Sequence, residues 1–493
     1  MSAAQPIKGV PAIDVAPLFV DLDGTLIRSD TLWESFAIAL RARPWRTALG
    51  VTALARGKAA LKERLGRLGP IDPAALPYRE GFVEWLREER ASGRQIVLAT
   101  AADRAVAESV AGHLGVFDSV LASDGTRNLK GRAKLAAIEE ASQGRPFDYA
   151  GNDESDMPIF ARSRQAVVVA APESVIRHAN RLEGADTRFA REAGGGLRAW
   201  IRAVRPHQWL KNLLVFVPMM TAFALDDPAI WLHAFEAGLA MCLAASAGYL
   251  VNDLLDMQPD RRHPRKRERP FASGELAPSH GFVGAALFLL AACLIALSIN
   301  GKVLFWLLLY LGSTLLYSFW LKRLPMFDVV TLAGLYTLRV EIGAAATGIE
   351  VSFWLRAFTI FVFLSLALIK RCGELVSERE RGEQTGSGRG YGVGDIDVLQ
   401  PMGVAASVAA VLVLALYVST PDVEIRYATP KLLWLAMVAL IVWLGRLWID
   451  TARGNMHDDP LVHAITDTTG RWLIIFIVSV FVVAAFGVPR FWA

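Results

Sequence analysis

The chain has 493 residues, 52 Lys and Arg against 48 Asp and Glu, and 53% hydrophobic residues. That length exceeds one ordinary soluble core, and a mean hydropathy of +0.35 argues against a wholly soluble protein. The net charge of +4 collects in loops that flank apolar runs, which signals membrane topology and argues against nucleic acid as a partner.

The first residues, M-S-A-A-Q-P-I-K-G-V, lack a basic segment followed by a long apolar one, so no secretory signal is expected and the first domain is expected in the cytoplasm. An apolar strand in A-P-L-F-V-D-L-D-G-T-L runs directly into Asp21 and Asp23. A second, R-Q-I-V-L-A-T, ends at Thr100; Lys130 and Lys134 follow in N-L-K-G-R-A-K, and F-D-Y-A-G-N-D-E-S-D brings Asp153 and Asp156. Strands alternating with helical stretches predict a parallel sheet whose functional residues gather at strand C-terminal ends. Together these residues suit phosphate chemistry. One carboxylate can attack phosphorus, a second can protonate the leaving alcohol, and Mg²⁺ with a lysine offsets phosphate charge.

With D-x-D-G-T, these motifs resemble the haloacid dehalogenase-like (HAD) hydrolases over about residues 15 to 175. The resemblance implies a Rossmann-like α/β domain over 1–180 with a helical cap over about 27–90. It implies Asp21 as nucleophile, Asp23 as general acid and base, Thr100 as phosphate ligand, Lys134 or alternatively Lys130 as the charge-neutralising lysine, and Asp153 and Asp156 as metal ligands beside Asp21 and Asp23. Many members carry G-D where this chain has Gly151-Asn152, which leaves the roles of Asp153 and Asp156 open. A non-catalytic, regulatory head is the competing reading. Residues 181–204, with Gly194 to Gly196, read as a flexible linker.

From about residue 205 the chain reads as an all-α membrane body. Nine apolar runs, at about 212–230, 232–252, 282–299, 303–320, 328–347, 353–370, 402–418, 431–449 and 472–488, are long enough to cross a bilayer as helices. An odd count places the ends of the body on opposite sides. The loops then expected inside hold Arg261 to Arg269, Lys322, Arg323, Lys370, Arg371, Arg379, Arg381, Arg389, Arg453 and Arg471, and those outside hold Lys302, Arg426, Lys431 and Arg490. A multi-pass protein of the inner membrane is the expectation. Cys242, Cys293 and Cys372 lack metal-ligand spacing and are expected to pack as small apolar residues.

The second run ends in N-D-L-L-D-M-Q-P-D-R-R-H-P-R-K-R-E-R-P. On a continuing helix Asn252, Asp253 and Asp256 share an arc of about 100°. Asp260 would join them, but Pro259 is expected to break the helix there. Converging carboxylates suit Mg²⁺ shared with substrate phosphates, and Arg261, Arg262, Lys266, Arg267 and Arg269 would take the remaining diphosphate oxygens. The same basic run could instead meet anionic lipid. Lys322, Arg323, Lys370 and Arg371 recur on that expected face, as a phosphate cradle or as orientation signals. Tyr317 is either a substrate partner or part of the interfacial aromatic belt. Arg339, charged within a span, either meets the acceptor phosphate or pairs with an acid.

N-D-x-x-D-x-x-x-D after the second of nine spans resembles the UbiA-type intramembrane transferases. R-P-H-Q-W-L-K-N with Lys211, Y-S-F-W-L-K-R-L-P-M-F-D, Leu338-Arg339 and K-R-C-G-E-L narrow the resemblance to the decaprenyl-phosphate phosphoribosyltransferase branch. This implies phosphoribosyl pyrophosphate as donor, a polyprenyl phosphate lipid as acceptor and Mg²⁺ as cofactor, with Asp253 and Asp256 in the catalytic metal site; a homo-oligomer is left open. A prenyltransferase acting on an aromatic acceptor is the alternative. That activity goes with a second D-x-x-x-D, whereas here Asp328 is followed four residues later by Leu332, which leaves Asp328 expected as a contributor to the substrate-binding site.

Overall fold

A computed structural model describes residues 16–190, 195–382, 390–456 and 460–486. The expectations placed on the first residues, Gly194, Arg389 and Arg490 lie outside the described residues. Six short apolar runs form strands: β1 (Leu18–Val20), β2 (Ile96–Asp103), β3 (Ser119–Ser123), β4 (Asp148–Gly151), β5 (Ala166–Val169) and β6 (Ala185–Phe189). They make one sheet in the order β3-β2-β1-β4-β5-β6, with every pair parallel. β1, β4 and β5 are buried along their whole length, which is why β1 and β5 read as unbroken apolar runs. Side chains alternate across the sheet, so Leu18 and Val20 enter one apolar cluster and Phe19 the other. The winding reverses between β1 and β4, which opens a crevice at their C-terminal ends.

Between β1 and β2 the chain is helical: α1 (Thr31–Ala42), Pro44–Val51, α2 (Lys58–Leu68) and Glu80–Ala91. Asp30 caps α1 by accepting the backbone N–H groups of Leu32 and Trp33. A further helix, α3 (Arg132–Ser142), precedes β4.

Packing divides the chain into two units that do not follow chain order. The first joins the described residues up to Val204 with Tyr249–Ala285; the second holds Arg205–Gly248 and the residues from Ala286 onward. The connector expected to be a flexible tether is structured where it is described. Leu197–Val204 is a helix, Arg202 pairs with Glu275, and Trp200 packs beside Gly284.

Eight helices are long and apolar enough to cross a membrane among the described residues, where nine were expected. They are α4 (Pro228–Leu255), α6 (Pro278–Ile299), α7 (Gly301–Phe319), α8 (Phe327–Thr347), α9 (Phe353–Glu380), α10 (Ile396–Val418), α11 (Leu433–Ala452) and α12 (Thr468–Phe486). A short α5 (Met257–Arg262) follows α4. The run at 212–230 is not one helix. It is a 3₁₀ segment, Pro206–Phe216, then a single turn, Val217–Thr221, and then irregular chain with Phe223 at φ 54°. Pro218 cannot donate the N–H that a continuous helix needs there. Without nine spans, the inference that the two ends lie on opposite sides loses its premise.

Within the second unit, the 3₁₀ segment runs tight against α8 at Gly343. A Cβ there would stand 1.9 Å from the Val215 carbonyl oxygen, so only glycine admits this approach. Gly343→Val is therefore expected to destabilise the membrane unit by about 1–3 kcal/mol, read as a lowered unfolding midpoint in detergent. Gly312→Ala, where nothing lies within 4 Å, is the control expected to leave the midpoint near that of the wild type.

Candidate functional site

The crevice at the ends of β1 and β4 is a cavity of about 510 Å³ lined by Asp21, Asp23, Lys62, Arg79, Lys130, Lys134, Asn152 and Asp153 among others. Asp21 follows β1 directly. The Lys134 Nζ, carried from the side by α3, donates to Asp21 Oδ1 at 2.9 Å and to Asp156 Oδ1 at 3.3 Å. Lys130 reaches Asp153 instead, at 3.1 Å. Asp156 is buried and faces away from the cavity. It accepts from the Tyr149 hydroxyl at 2.8 Å and from the backbone N–H groups of Asn152 and Asp153.

Asn152, the residue that departs from the G-D pattern, braces the turn after β1. Its Oδ1 accepts from the Thr25 hydroxyl at 3.2 Å, and its amide fills the space over Gly24. Gly24 sits at φ +76°, and a Cβ on it would meet the Asn152 nitrogen at 2.2 Å. Thr100 is fully buried and accepts the Ala102 N–H; it does not line the cavity, contrary to its expected place on a phosphate. Lys62, Arg79 and Tyr149 were not singled out in the sequence. Lys62 comes from the helical insertion, whose residues carry no motif, while Tyr149 stood in the quoted F-D-Y-A-G-N-D run.

Burial raises the Asp21 carboxyl to about 6 despite the opposing pull of Lys134. Burial, with Asp30 nearby, raises Asp23 to about 7, although the Thr31 N–H favours its ionised form. Burial alone would lower Lys134, but Asp21 and Asp156 hold it above its ordinary value. Lys62 is lowered, chiefly by burial. A carboxyl that titrates near neutrality suits proton transfer at Asp23. Among the described residues no group of three or more His, Cys, Asp or Glu would enclose a metal ion alone. Mg²⁺ does not require one, since it keeps waters and shares substrate phosphate. Asp21, Asp23 and Asp153 open on one cavity as hard oxygen donors, and two of them are held partly protonated by burial. That donor set fits a divalent cation.

The aspartate motif also lies in the first unit. α4 ends at Leu255 and Asp256 forms the break, so the helix is interrupted three residues before Pro259. Pro259 sits in the first turn of α5, where its missing N–H costs nothing. Arg269 joins two of the acids, donating to Asp253 Oδ1 at 3.1 Å and Asp260 Oδ2 at 2.7 Å. Asp256 pairs with Arg41 of α1 at 2.6 Å. Two further residues of the basic run face protein acids instead of open space: Arg261 grips the buried Glu34 at 2.5 Å, and Arg262 pairs with Asp72. Lys266 and Arg267 are exposed.

In the second unit, Asp328 is fully buried. Arg371 donates to it at 2.9 Å and the Tyr391 hydroxyl at 2.6 Å. Asp328 and Arg371, both expected at the substrate, are thus partners of each other. Arg339 bonds Asn212 at 3.0 Å and the Tyr310 hydroxyl at 3.0 Å, and its guanidinium lies over the Tyr310 and Tyr336 rings. Its partners here are neutral groups, where an acid was one expectation. Lys211 is buried, Tyr317, Lys322 and Lys370 are half-buried, and Arg323 is exposed.

Residues 213–462 match the UbiA prenyltransferase family and residues 18–161 the haloacid dehalogenase-like hydrolases. Uncharacterized protein y4nM of Sinorhizobium fredii is 36% identical over 473 residues, which is 95% of this chain and 91% of that one. Decaprenyl-phosphate phosphoribosyltransferase of Corynebacterium glutamicum is 34% identical over 186 residues, 37% of this chain and 56% of its own length. A solved UbiA homologue from Archaeoglobus fulgidus, bound to GPP and Mg²⁺, aligns with 58% of this chain and 99% of its own at 18% identity and a TM-score of 0.45.

Because Asp21 is raised to about 6, adding magnesium to the metal-free protein at about pH 6 is expected to release protons. Calorimetry in buffers of different ionisation enthalpy measures that release, and Asp21→Asn should abolish it.

Proposed function

As the chain belongs to the UbiA prenyltransferase family and carries a haloacid dehalogenase-like domain at its N-terminus, we propose that it is a bifunctional enzyme. Its membrane part moves 5-phosphoribose from phosphoribosyl pyrophosphate to a polyprenyl phosphate, and its α/β domain removes the 5-phosphate from that product. The observation that carries the first half is the similarity to decaprenyl-phosphate phosphoribosyltransferases. The Asp328–Arg371–Tyr391 cluster supports it, because the one acid near the position of a second aspartate motif is neutralised by protein groups. The aromatic prenyltransferase reading would want that acid free for a metal.

The same reading assigns residues 1–180 to the hydrolase, 181–204 to the connector and 205–493 to the transferase, in an inner membrane with the hydrolase in the cytoplasm.

In the transfer step, the bond between ribose C1 and the pyrophosphate oxygen breaks and a lipid phosphate oxygen bonds to C1. The acceptor is already an anion, so no strong general base is needed. Asp253 and Asp256, with Asn252 and Asp260, would hold Mg²⁺, which supplies charge neutralisation for the departing pyrophosphate. Arg269, which now neutralises Asp253 and Asp260, would become available to the diphosphate oxygens with a cation in its place.

In the hydrolytic step, Asp21 attacks the phosphomonoester phosphorus and Asp23 gives its proton to the leaving ribose oxygen. Asp23 then takes a proton from the water that attacks the phospho-aspartate, and inorganic phosphate leaves. Lys134 keeps Asp21 oriented and offsets negative charge, held in turn by Asp156 and Tyr149. Asp21 and Asp153 are the residues that would hold Mg²⁺ here, leaving the Asp23 carboxyl to carry the proton.

Full-length protein incubated with labelled phosphoribosyl pyrophosphate and polyprenyl phosphate is expected to yield labelled polyprenyl-phosphoryl ribose, identified by mass spectrometry. Asp253→Asn should yield no labelled lipid. Asp21→Asn should lose hydrolysis by roughly a thousandfold or more and accumulate the 5-phosphorylated lipid. Identical lipids from wild type and Asp21→Asn would sink the hydrolytic half and favour a regulatory head. Turnover only with a prenyl diphosphate and an aromatic acceptor would sink the phosphoribosyl half.

A further inference from the structure

Helix α1 touches both candidate sites of the first unit. At its N-terminus the Thr31 backbone N–H and hydroxyl donate to the two oxygens of Asp23, at 2.8 and 3.2 Å. At its last turn the Arg41 guanidinium donates to Asp256 Oδ1 at 2.6 Å and also to the Leu255 carbonyl. Ten residues at 1.5 Å rise put Thr31 and Arg41 about 15 Å apart along one helix.

The middle of α1 is anchored to the aspartate segment. Glu34, fully buried, holds Arg261 in a bidentate pair, and Arg261 also donates to the Ala75 and Ala272 carbonyls. Trp33 and Phe36 pack on Phe282, with ring centroids 5.4 and 5.1 Å apart. Arg41 and Asp256 differ from this anchor in being 39% and 33% exposed, and an exposed ion pair is weak and easily exchanged. A magnesium-bound diphosphate arriving at Asp256 would compete with Arg41 for the same oxygens.

We propose that α1 is a shared positioning element: cation and diphosphate binding at the aspartate motif displaces Arg41 from Asp256, and the resulting shift of α1 reaches Asp23 through Thr31. Arg41 and Thr31 are positioning residues in this account, and they make the hydrolytic site sensitive to the occupancy of the transfer site. It rests on the two-site reading above. An enzyme built this way would hold back hydrolysis, or release it, according to whether donor is bound. Because linkage is reciprocal, a phosphate mimic in the hydrolytic cavity must change diphosphate affinity at the motif by the same factor as diphosphate changes the mimic's affinity.

The test uses full-length protein in detergent with magnesium and inorganic pyrophosphate as probe, read by amide hydrogen exchange. Pyrophosphate is expected to change exchange both in the peptide with Asp253 and Asp256 and along Thr31–Ala42. In Arg41→Ala, α1 should already exchange as in the loaded wild type and respond no further, while Asp256→Asn should lose the response in α1. Protection at the motif with α1 unchanged, or an Arg41→Ala response equal to wild type, overturns the proposal. No response at the motif overturns both the donor-site reading and the proposal with it. A second readout is hydrolysis of p-nitrophenyl phosphate. Coupling predicts that magnesium pyrophosphate changes kcat by about fivefold or more in the wild type and not in Arg41→Ala. Simple competition in the hydrolytic cavity would raise KM alone in both and count against coupling. If wild type and Asp21→Asn hydrolyse alike, the hydrolase reading fails, and the exchange result still decides whether α1 responds to the motif.

Discussion

The buried pair of Glu34 and Arg261 is the interaction on which the arrangement of the first unit depends. Glu34 is fully buried and the Arg261 side chain nearly so, which is costly for both charges unless the geometry is complete. It is complete here, because Arg261 uses its remaining donors on two backbone carbonyls and Glu34 also accepts from Ser29. Removing either partner would leave an uncompensated buried charge, a loss of about 3–5 kcal/mol. The pair therefore fixes the segment after α4 to the helical insertion of the sheet domain. This is why Tyr249–Ala285 packs with residues that precede it by two hundred positions.

Charge compensation follows one pattern at three places among the described residues. A basic side chain stands within hydrogen-bond reach of the carboxylates: Lys134 between Asp21 and Asp156, Arg269 between Asp253 and Asp260, and Arg371 on Asp328. The three differ in what surrounds them. Lys134 is held by groups lining or backing an open cavity, so a phosphate can enter beside it. Arg269 is half-buried. Arg371 and Asp328 are sealed from solvent, with a tyrosine completing the shell, and such a pair serves architecture. Identical residue types thus stand at an open cavity, in a half-buried motif and in a sealed interior, according to the neighbours that folding gives them.

The expected strand ends at Asp21 and near Asp153 are where the structure has them, because buried parallel strands leave a period and composition that few other elements share. The membrane helices were legible for the same reason, except the run at 212–230. Its composition suits a bilayer, but Pro206 and Pro218 with a left-handed Phe223 break it into short pieces. Asp153, Lys130 and Lys134 could be gathered from motif spacing. Lys62 and Arg79 could not, since they come from an insertion whose fold is set only by its packing.

Sequence alone determined the chemistry that is present: aspartates after an apolar strand, an aspartate motif at the end of an apolar helix, a lysine in the stretch before an acid-rich strand end, and spans of bilayer length. These follow from local pattern, which depends on residue type and periodicity. Tertiary structure alone decided which charges face a ligand and which face each other. Arg261, Arg262 and Arg371 share composition with any phosphate-binding arginine, and only the neighbours brought by folding turn them toward Glu34, Asp72 and Asp328. The same holds for Arg41, which carries no motif and meets Asp256 across 215 positions of sequence because one buried ion pair and three aromatic rings hold α1 against that segment.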